Sequence, residues 1–233
     1  MTRTPHDPPS RGDVRASYDR VPGEYARRIA GELAHKPLDR ELLDRFADRV
    51  RGAGPVADLG CGPGHVARYL ADRGVDVFGL DLSPAMVERA RQLHPGVQFR
   101  VGDVTALDAP DGAWAGALAY YSLIHLPRGA MAAALREVAR ALRPGAPLLV
   151  AFHAGDETRR MDEWWGHPVR LDFVFFAVDE MAGYLGEAGF AVEAAAERGP
   201  YPDVEAPTRR AYLLAAKSAG GHDPSGEGDP PPR

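Results

Sequence analysis

Apolar residues recur along this chain with two different periods, and the order in which the periods alternate predicts the fold. The first segment, about residues 14–33, repeats its apolar positions at helical spacing and is interrupted at Pro22-Gly23. A second helix is predicted from about Pro37, with Leu42, Leu43, Phe46 and Val50 along one face. From Pro55 onward short continuous apolar runs take over, at about 55–59, 75–80, 97–101, 115–119 and 147–153, each the length of a buried strand. Helical segments separate most of them, at about 65–73, 84–93 and 129–142, and Ser83-Pro84 has the cap-then-proline order of a helix start. Strand and helix in alternation predict a mostly parallel sheet covered on both faces. After a helix at about 178–187 come two strands with no helix between them, about 190–197 and 211–217. Such a terminal hairpin adds antiparallel strands at one sheet edge.

Composition changes this picture only at the margins. Residues 1–12 and 218–233 are rich in Pro, Gly and polar residues, with little to bury, and are expected to be disordered tails around a domain over 13–217. A net charge of −5 with no run of Lys or Arg argues against a nucleic-acid partner. No apolar stretch has the length of a membrane span, and a lone Cys61 fits a reducing, cytoplasmic setting.

The chemistry concentrates where strands end. Asp58-Leu59-Gly60-Cys61-Gly62-Pro63-Gly64 lies between a strand and a helix, where glycines let backbone approach a ligand. A dinucleotide fingerprint would place its third glycine at position 65. Here His65 stands there and Gly64 comes one residue early. Asp81 follows about twenty residues on, at the end of the next strand, the spacing of a carboxylate that accepts from ribose hydroxyls. Gly102-Asp103-Val104 follows the third strand and puts another acid at the same sheet edge, within reach of an adenine amino group. Each has a plainer reading, as a tight turn, a helix-start acid and a surface turn respectively.

Taken together these motifs resemble the class I S-adenosylmethionine-dependent methyltransferases, over about Tyr18 to Lys217. The resemblance implies a doubly wound, Rossmann-like seven-stranded sheet with an antiparallel C-terminal hairpin and a helical cap over 13–51. It implies S-adenosylmethionine as cofactor; separately, His153 and His167 have no close cluster of carboxylate and His around them in the sequence, so no metal is expected. Asp58, Gly60, Cys61, Gly62 and Gly64 would hold its methionine part, Asp81 its ribose, and Asp103 and Val104 would lie by the adenine, which Leu82 and Met86 would sandwich. Tyr18 and Tyr25 would close over it, and Tyr120 or Tyr121 would lie near the methionine part. The chain departs from the pattern at Trp114-Ala115, where many relatives open the fourth strand with an Asp.

The acceptor side is less specific. His125, in Ser122-Leu123-Ile124-His125-Leu126-Pro127, is the candidate general base, with packing at a helix start as the alternative. An insertion at about 152–176 carries His153, Trp164 and Trp165, the expected lining of a pocket for a small aromatic or apolar acceptor. The alternative is a surface helix whose Trp pair packs on the sheet. The rival functions are a nicotinamide oxidoreductase, which His65 and Asp103 oppose, and a cofactor-binding protein without turnover.

Overall fold

The structure is a computed structural model that describes residues 7–219. The expected tails therefore lie, for 1–6 and 220–233, outside the described residues.

Helix α1 (Arg11–Tyr18) begins earlier than expected, because Ser10 and Asp13 form a reciprocal capping box. The disordered tail drawn to residue 12 is thus too long. α2 (Pro22–Ile29) starts on its proline, a turn of 3₁₀ helix covers Glu32–His35, and α3 (Pro37–Val50) again starts on a proline. Two prolines at first helical positions divide the cap into short helices, each proline losing only an N–H that would have had no partner.

The alternating core follows: β1 (Val56–Leu59), α4 (His65–Ala71), β2 (Val77–Asp81), α5 (Pro84–Leu93), β3 (Gln98–Val101), β4 (Gly116–Tyr120), α6 (Arg128–Ala141) and β5 (Pro147–His153). Then come β6 (Thr158–Trp164), β7 (His167–Val174), α7 (Val178–Glu187), β8 (Phe190–Arg198) and β9 (Arg210–Lys217). Seven strands make one sheet in the order β3-β2-β1-β4-β5-β9-β8. The first five are mutually parallel, while β9 runs antiparallel to β5, with Leu149 opposite Leu214, and β8 antiparallel to β9. The expected architecture is what forms. One core, around Leu135, Phe152, Phe176 and Leu213, lies under α6 and α7; the other, around Phe46, Leu70, Phe99 and Leu149, lies under α3, α4 and α5.

The order reverses between β1 and β4, and the connections that leave their carboxyl ends turn to opposite faces of the sheet and open a crevice there. Two elements cover this end of the sheet. One is α1. The other is the insertion, which is a separate two-stranded hairpin of β6 and β7 and not a surface helix. Its turn is Trp165-Gly166, both with left-handed φ (53° and 81°), between the paired residues Trp164 and His167. That is the two-residue hairpin geometry, reached here with a tryptophan at the position usually given to Asn or Gly. α1 packs on this hairpin through Val14, Val169 and Leu171, and Ser17 Oγ accepts the Arg170 N–H at 2.8 Å.

Candidate active site

The first glycine after β1 is required by what faces it. Gly60 has φ 71°, and a Cβ there would come within 2.2 Å of Ser122 Cβ, so the β1 and β4 ends can converge only without a side chain. Gly64, at the α4 N-cap with φ 82°, looks the other way. A Cβ there would meet the Phe99 ring at 2.5 Å, so this glycine seats α4 against β3 and does not face the crevice. Three expected cofactor contacts share that correction. Cys61 is buried in the core against Gly79, Met86 is buried beneath Leu82, and Asp58 is buried within β1. Their alternation along strand and helix turns these side chains inward. Burial pushes the Asp58 carboxyl up to about 7, and its Oδ2 has no hydrogen-bond partner.

A narrow cleft of about 80 Å³ remains, lined by Gly60, Gly62, Asp81, Leu82, Gly102 and Val104 from the sheet edge and by Tyr18 and Tyr25 from the cap. Tyr120, Tyr121, Ser122 and His125 complete it from the β4 end. Asp81 is held at both oxygens: Oδ2 accepts the Gly62 N–H and Oδ1 the Ser83 N–H, each at 2.8 Å. Burial nevertheless raises its carboxyl to about 6. Tyr121, directly after β4, has φ 55°, a strained conformation for a large side chain, and its hydroxyl donates to that of Tyr212 at 3.0 Å.

Asp103 is not free to meet an adenine as expected. Arg11 reaches across from α1 and grips it with Nε at 3.0 Å and Nη2 at 2.7 Å, and Thr105 donates to the same carboxylate. Although burial opposes it, the Arg11 hydrogen bonds hold this carboxyl below its ordinary range. Arg11 itself lines the cleft.

His125 lies at the cleft, yet both ring nitrogens are engaged. Nδ1 faces the Asp172 carbonyl at 2.9 Å, so it must donate, and Nε2 therefore accepts from the Tyr18 hydroxyl at 2.7 Å. Burial lowers the imidazole to about 4. At neutral pH the ring is uncharged and its lone pair is taken, so His125 positions Tyr18, and the general-base expectation is revised on this geometry.

In front of the cleft opens a cavity of about 740 Å³ that shares Tyr18, Tyr25, Tyr120 and Tyr121 with it. Trp164 and Trp165 stack there at 4.5 Å, with Tyr25 edge-on to both and Arg28 over the Trp165 ring at 4.9 Å. His153 stacks on Phe175 at 5.0 Å. Its Nδ1 accepts from Arg210 Nη1 at 2.9 Å, and since guanidinium only donates, the neutral ring carries its proton on Nε2. Burial, with Arg210 adding to it, lowers this histidine to about 3. The three residues expected on the acceptor side thus line one chamber. Among the described residues no group of three His, Cys, Asp or Glu side chains gathers as a metal site would need.

Residues 56–145 match the family described as a methyltransferase domain. A malonyl-[acyl-carrier protein] O-methyltransferase of Serratia marcescens is 28% identical over 158 residues, 65% of this chain and 57% of that protein. A trans-aconitate 2-methyltransferase of Methylobacterium nodulans is 36% identical over 140 residues, 58% and 47% respectively. The chain spans about half the length of these curated relatives. In fold it is similar to the 1,6-didemethyltoxoflavin-N1-methyltransferase of Burkholderia thailandensis, with a TM-score of 0.66 and 24% identity over 89% of this chain and 87% of that one.

Residues 56–145 are a methyltransferase domain.

Around this methyltransferase domain lie residues that sequence did not flag. Lys36, 3% exposed, bridges Glu32 at 2.7 Å and Glu205 at 3.1 Å on the chamber floor. Glu205 also holds Arg198 and, at 3.4 Å, Arg210. Asp39, wholly buried, takes Arg198 at 2.8 Å and the hydroxyls of Tyr120 and Tyr212 at 2.6 and 2.9 Å. The network ties the cap helix α3 to β4, β8 and β9. Nothing in residues 199–209 marks Glu205 in advance, since its partners are up to 169 positions away. The Ser10–Asp13 capping box is a readable signal that would have drawn Arg11 into the fold.

Proposed function

We propose that the protein transfers a methyl group from S-adenosylmethionine to a small-molecule acceptor and releases S-adenosylhomocysteine. The observation that carries this reading is Asp81, braced by two backbone amides at the crevice between β1 and β4, with an aromatic chamber opening directly in front.

The residues present fit that cofactor. Asp81 retains lone pairs for the two ribose hydroxyls, and Leu82, Val104 and Val14 offer apolar surface for the adenine. Gly60 and Gly62 present bare backbone to the methionine part, and Ser122, which lines the cleft, has an Oγ with no partner in a structure where buried polar groups are otherwise mostly paired. When bound, the cofactor supplies a methyl group already activated on a sulfonium. The protein's own work is therefore alignment, for which well-oriented reactants gain roughly 7–11 kcal/mol. Tyr18, pinned by His125, and Tyr25, packed on Trp164, line both cleft and chamber, where their rings would keep water from the line of transfer. A small acceptor without nucleic acid, and a cytoplasmic setting for the single buried Cys61, complete the reading.

Titration calorimetry with S-adenosylhomocysteine, followed by an acceptor screen with labelled cofactor and mass readout, tests it. Cofactor binding with a labelled product supports the proposal. Binding without product from any acceptor favours the rival of a non-catalytic cofactor-binding protein, and nicotinamide binding in place of S-adenosylhomocysteine overturns both.

A further inference from the structure

Methyl transfer to oxygen or nitrogen normally leaves a proton to be removed, and the chamber offers no group placed to take one. His125 has its lone pair occupied by Tyr18, and His153 presents Nε2–H, a donor, because Arg210 occupies Nδ1. His65 faces Glu32 through Nε2 at 3.2 Å, and its unpartnered Nδ1 is sealed from the cavity. Glu32 and Glu205 are each held by Lys36, and despite their burial these partners, with His65 and Arg198, keep both carboxyls near about 2. Asp203 stands exposed in water at the lip of the chamber.

Charge points the same way. Arg28, Lys36, Arg159, Arg160 and Arg210 line the chamber, against Glu32, Asp203 and Glu205, in a chain whose net charge is −5. The carboxylates that answer the outer arginines (Glu24, Glu157 and Asp172) do not line it. Arg28 and Arg159 each lie over an aromatic ring of the wall, Trp165 at 4.9 Å and Phe175 at 4.8 Å, so cationic edge and aromatic face are presented together.

We propose that the acceptor is an aromatic or conjugated oxygen acid that binds already ionised, drawn in by the arginine-edged aromatic walls, and is methylated on its oxyanion without a protein base. This rests on the methyl-transfer reading. In the step an oxyanion lone pair forms the new O–CH₃ bond, the S–CH₃ bond breaks with its electron pair passing to sulfur, and no proton moves. The product has lost the charge that attracted it, which favours its release.

The test uses the full chain. Calorimetry with S-adenosylhomocysteine comes first; absence of binding would sink the methyl-transfer reading itself, separately from this inference. With S-adenosylhomocysteine bound, tryptophan fluorescence is titrated with benzoate, cinnamate and salicylate and with the matching primary amides. The acids are expected to bind at least tenfold tighter, and the preference is expected to shrink in high salt and in the double variant Arg28→Gln, Arg159→Gln. With S-adenosylmethionine labelled in its methyl group, label is expected in 4-nitrophenol, far more ionised at neutral pH than phenol, at least tenfold faster than in phenol. Equal binding of acids and amides, binding of neither, an unchanged preference in the double variant, or equal labelling of phenol would each overturn the inference.

Discussion

At the scale of single residues, Asp81 is where burial and hydrogen bonding compete most directly. Desolvation pushes its carboxyl up to about 6 despite amides from Ser83 and Gly62. The ionised form is the one that accepts from two hydroxyls, so affinity for S-adenosylhomocysteine is expected to be full above pH 7 and to fall as pH drops through about 6. Asp81→Asn should remove that pH dependence and weaken binding by about 10- to 150-fold, the equivalent of one charge-assisted hydrogen bond of about 1.5–3 kcal/mol. Calorimetry at pH 5.5 and 7.5 checks both, and a flat profile in the parent protein would remove Asp81 from the site. Tyr18→Phe is the matching change at His125. It leaves Nε2 without its donor, and turnover is expected to fall more than cofactor affinity, as kcat against Kd would show.

At the scale of elements, the glycine loop, Asp81 and the strand–helix alternation were legible because each is a local pattern. What escaped depends on distant pairings. Asp103 reads as a free carboxylate until α1 is placed, and then Arg11, 92 positions away, occupies it. Met86 reads as a cofactor contact by its correspondence to the family pattern, but it falls on the buried face of α5, in the cluster against which Leu82 packs. The hairpin of β6 and β7 was hidden because its turn uses Trp165 where local pattern asks for Asn or Asp. With the element now placed, Trp164→Ala is expected to leave S-adenosylhomocysteine affinity within about twofold and to lower turnover at least tenfold, since the hairpin walls the chamber and not the cleft. Unfolding of that variant, seen by circular dichroism, would instead make the Trp pair a support for the cap.

At the scale of the whole molecule, the buried charges around Glu205 join the cap to the sheet edge. Removing one member leaves the others buried and unpaired, so Glu205→Gln is expected to cost about 3–5 kcal/mol of unfolding free energy, measured by urea denaturation. The pH sense follows from the depressed carboxyls. Glu32 and Glu205 near about 2 lie below the ordinary unfolded value of about 4.3, so their contribution is complete above that value and is lost as pH falls toward 2. The urea midpoint should therefore fall steeply between about pH 4 and pH 2, and less steeply in Glu205→Gln.

The strap formed by α1 has a kinetic consequence. Its hold on the sheet edge is made at three places: Arg11 on Asp103, Tyr18 on His125, and Asp19 on Ser83 and Ala85 at the start of α5. The 80 Å³ beneath it is well under the roughly 300–1,000 Å³ of ordinary small-molecule sites, so a nucleoside can pass only when α1 lifts. An acceptor lodged against Tyr18, Tyr25 and Trp164 would pin that same helix from the front. Exchange at the back of the site is then confined to moments when the front is empty. The two substrates should add in compulsory order, with S-adenosylhomocysteine competing against S-adenosylmethionine and showing mixed inhibition against the acceptor, and Arg11→Ala should relax that order toward random addition.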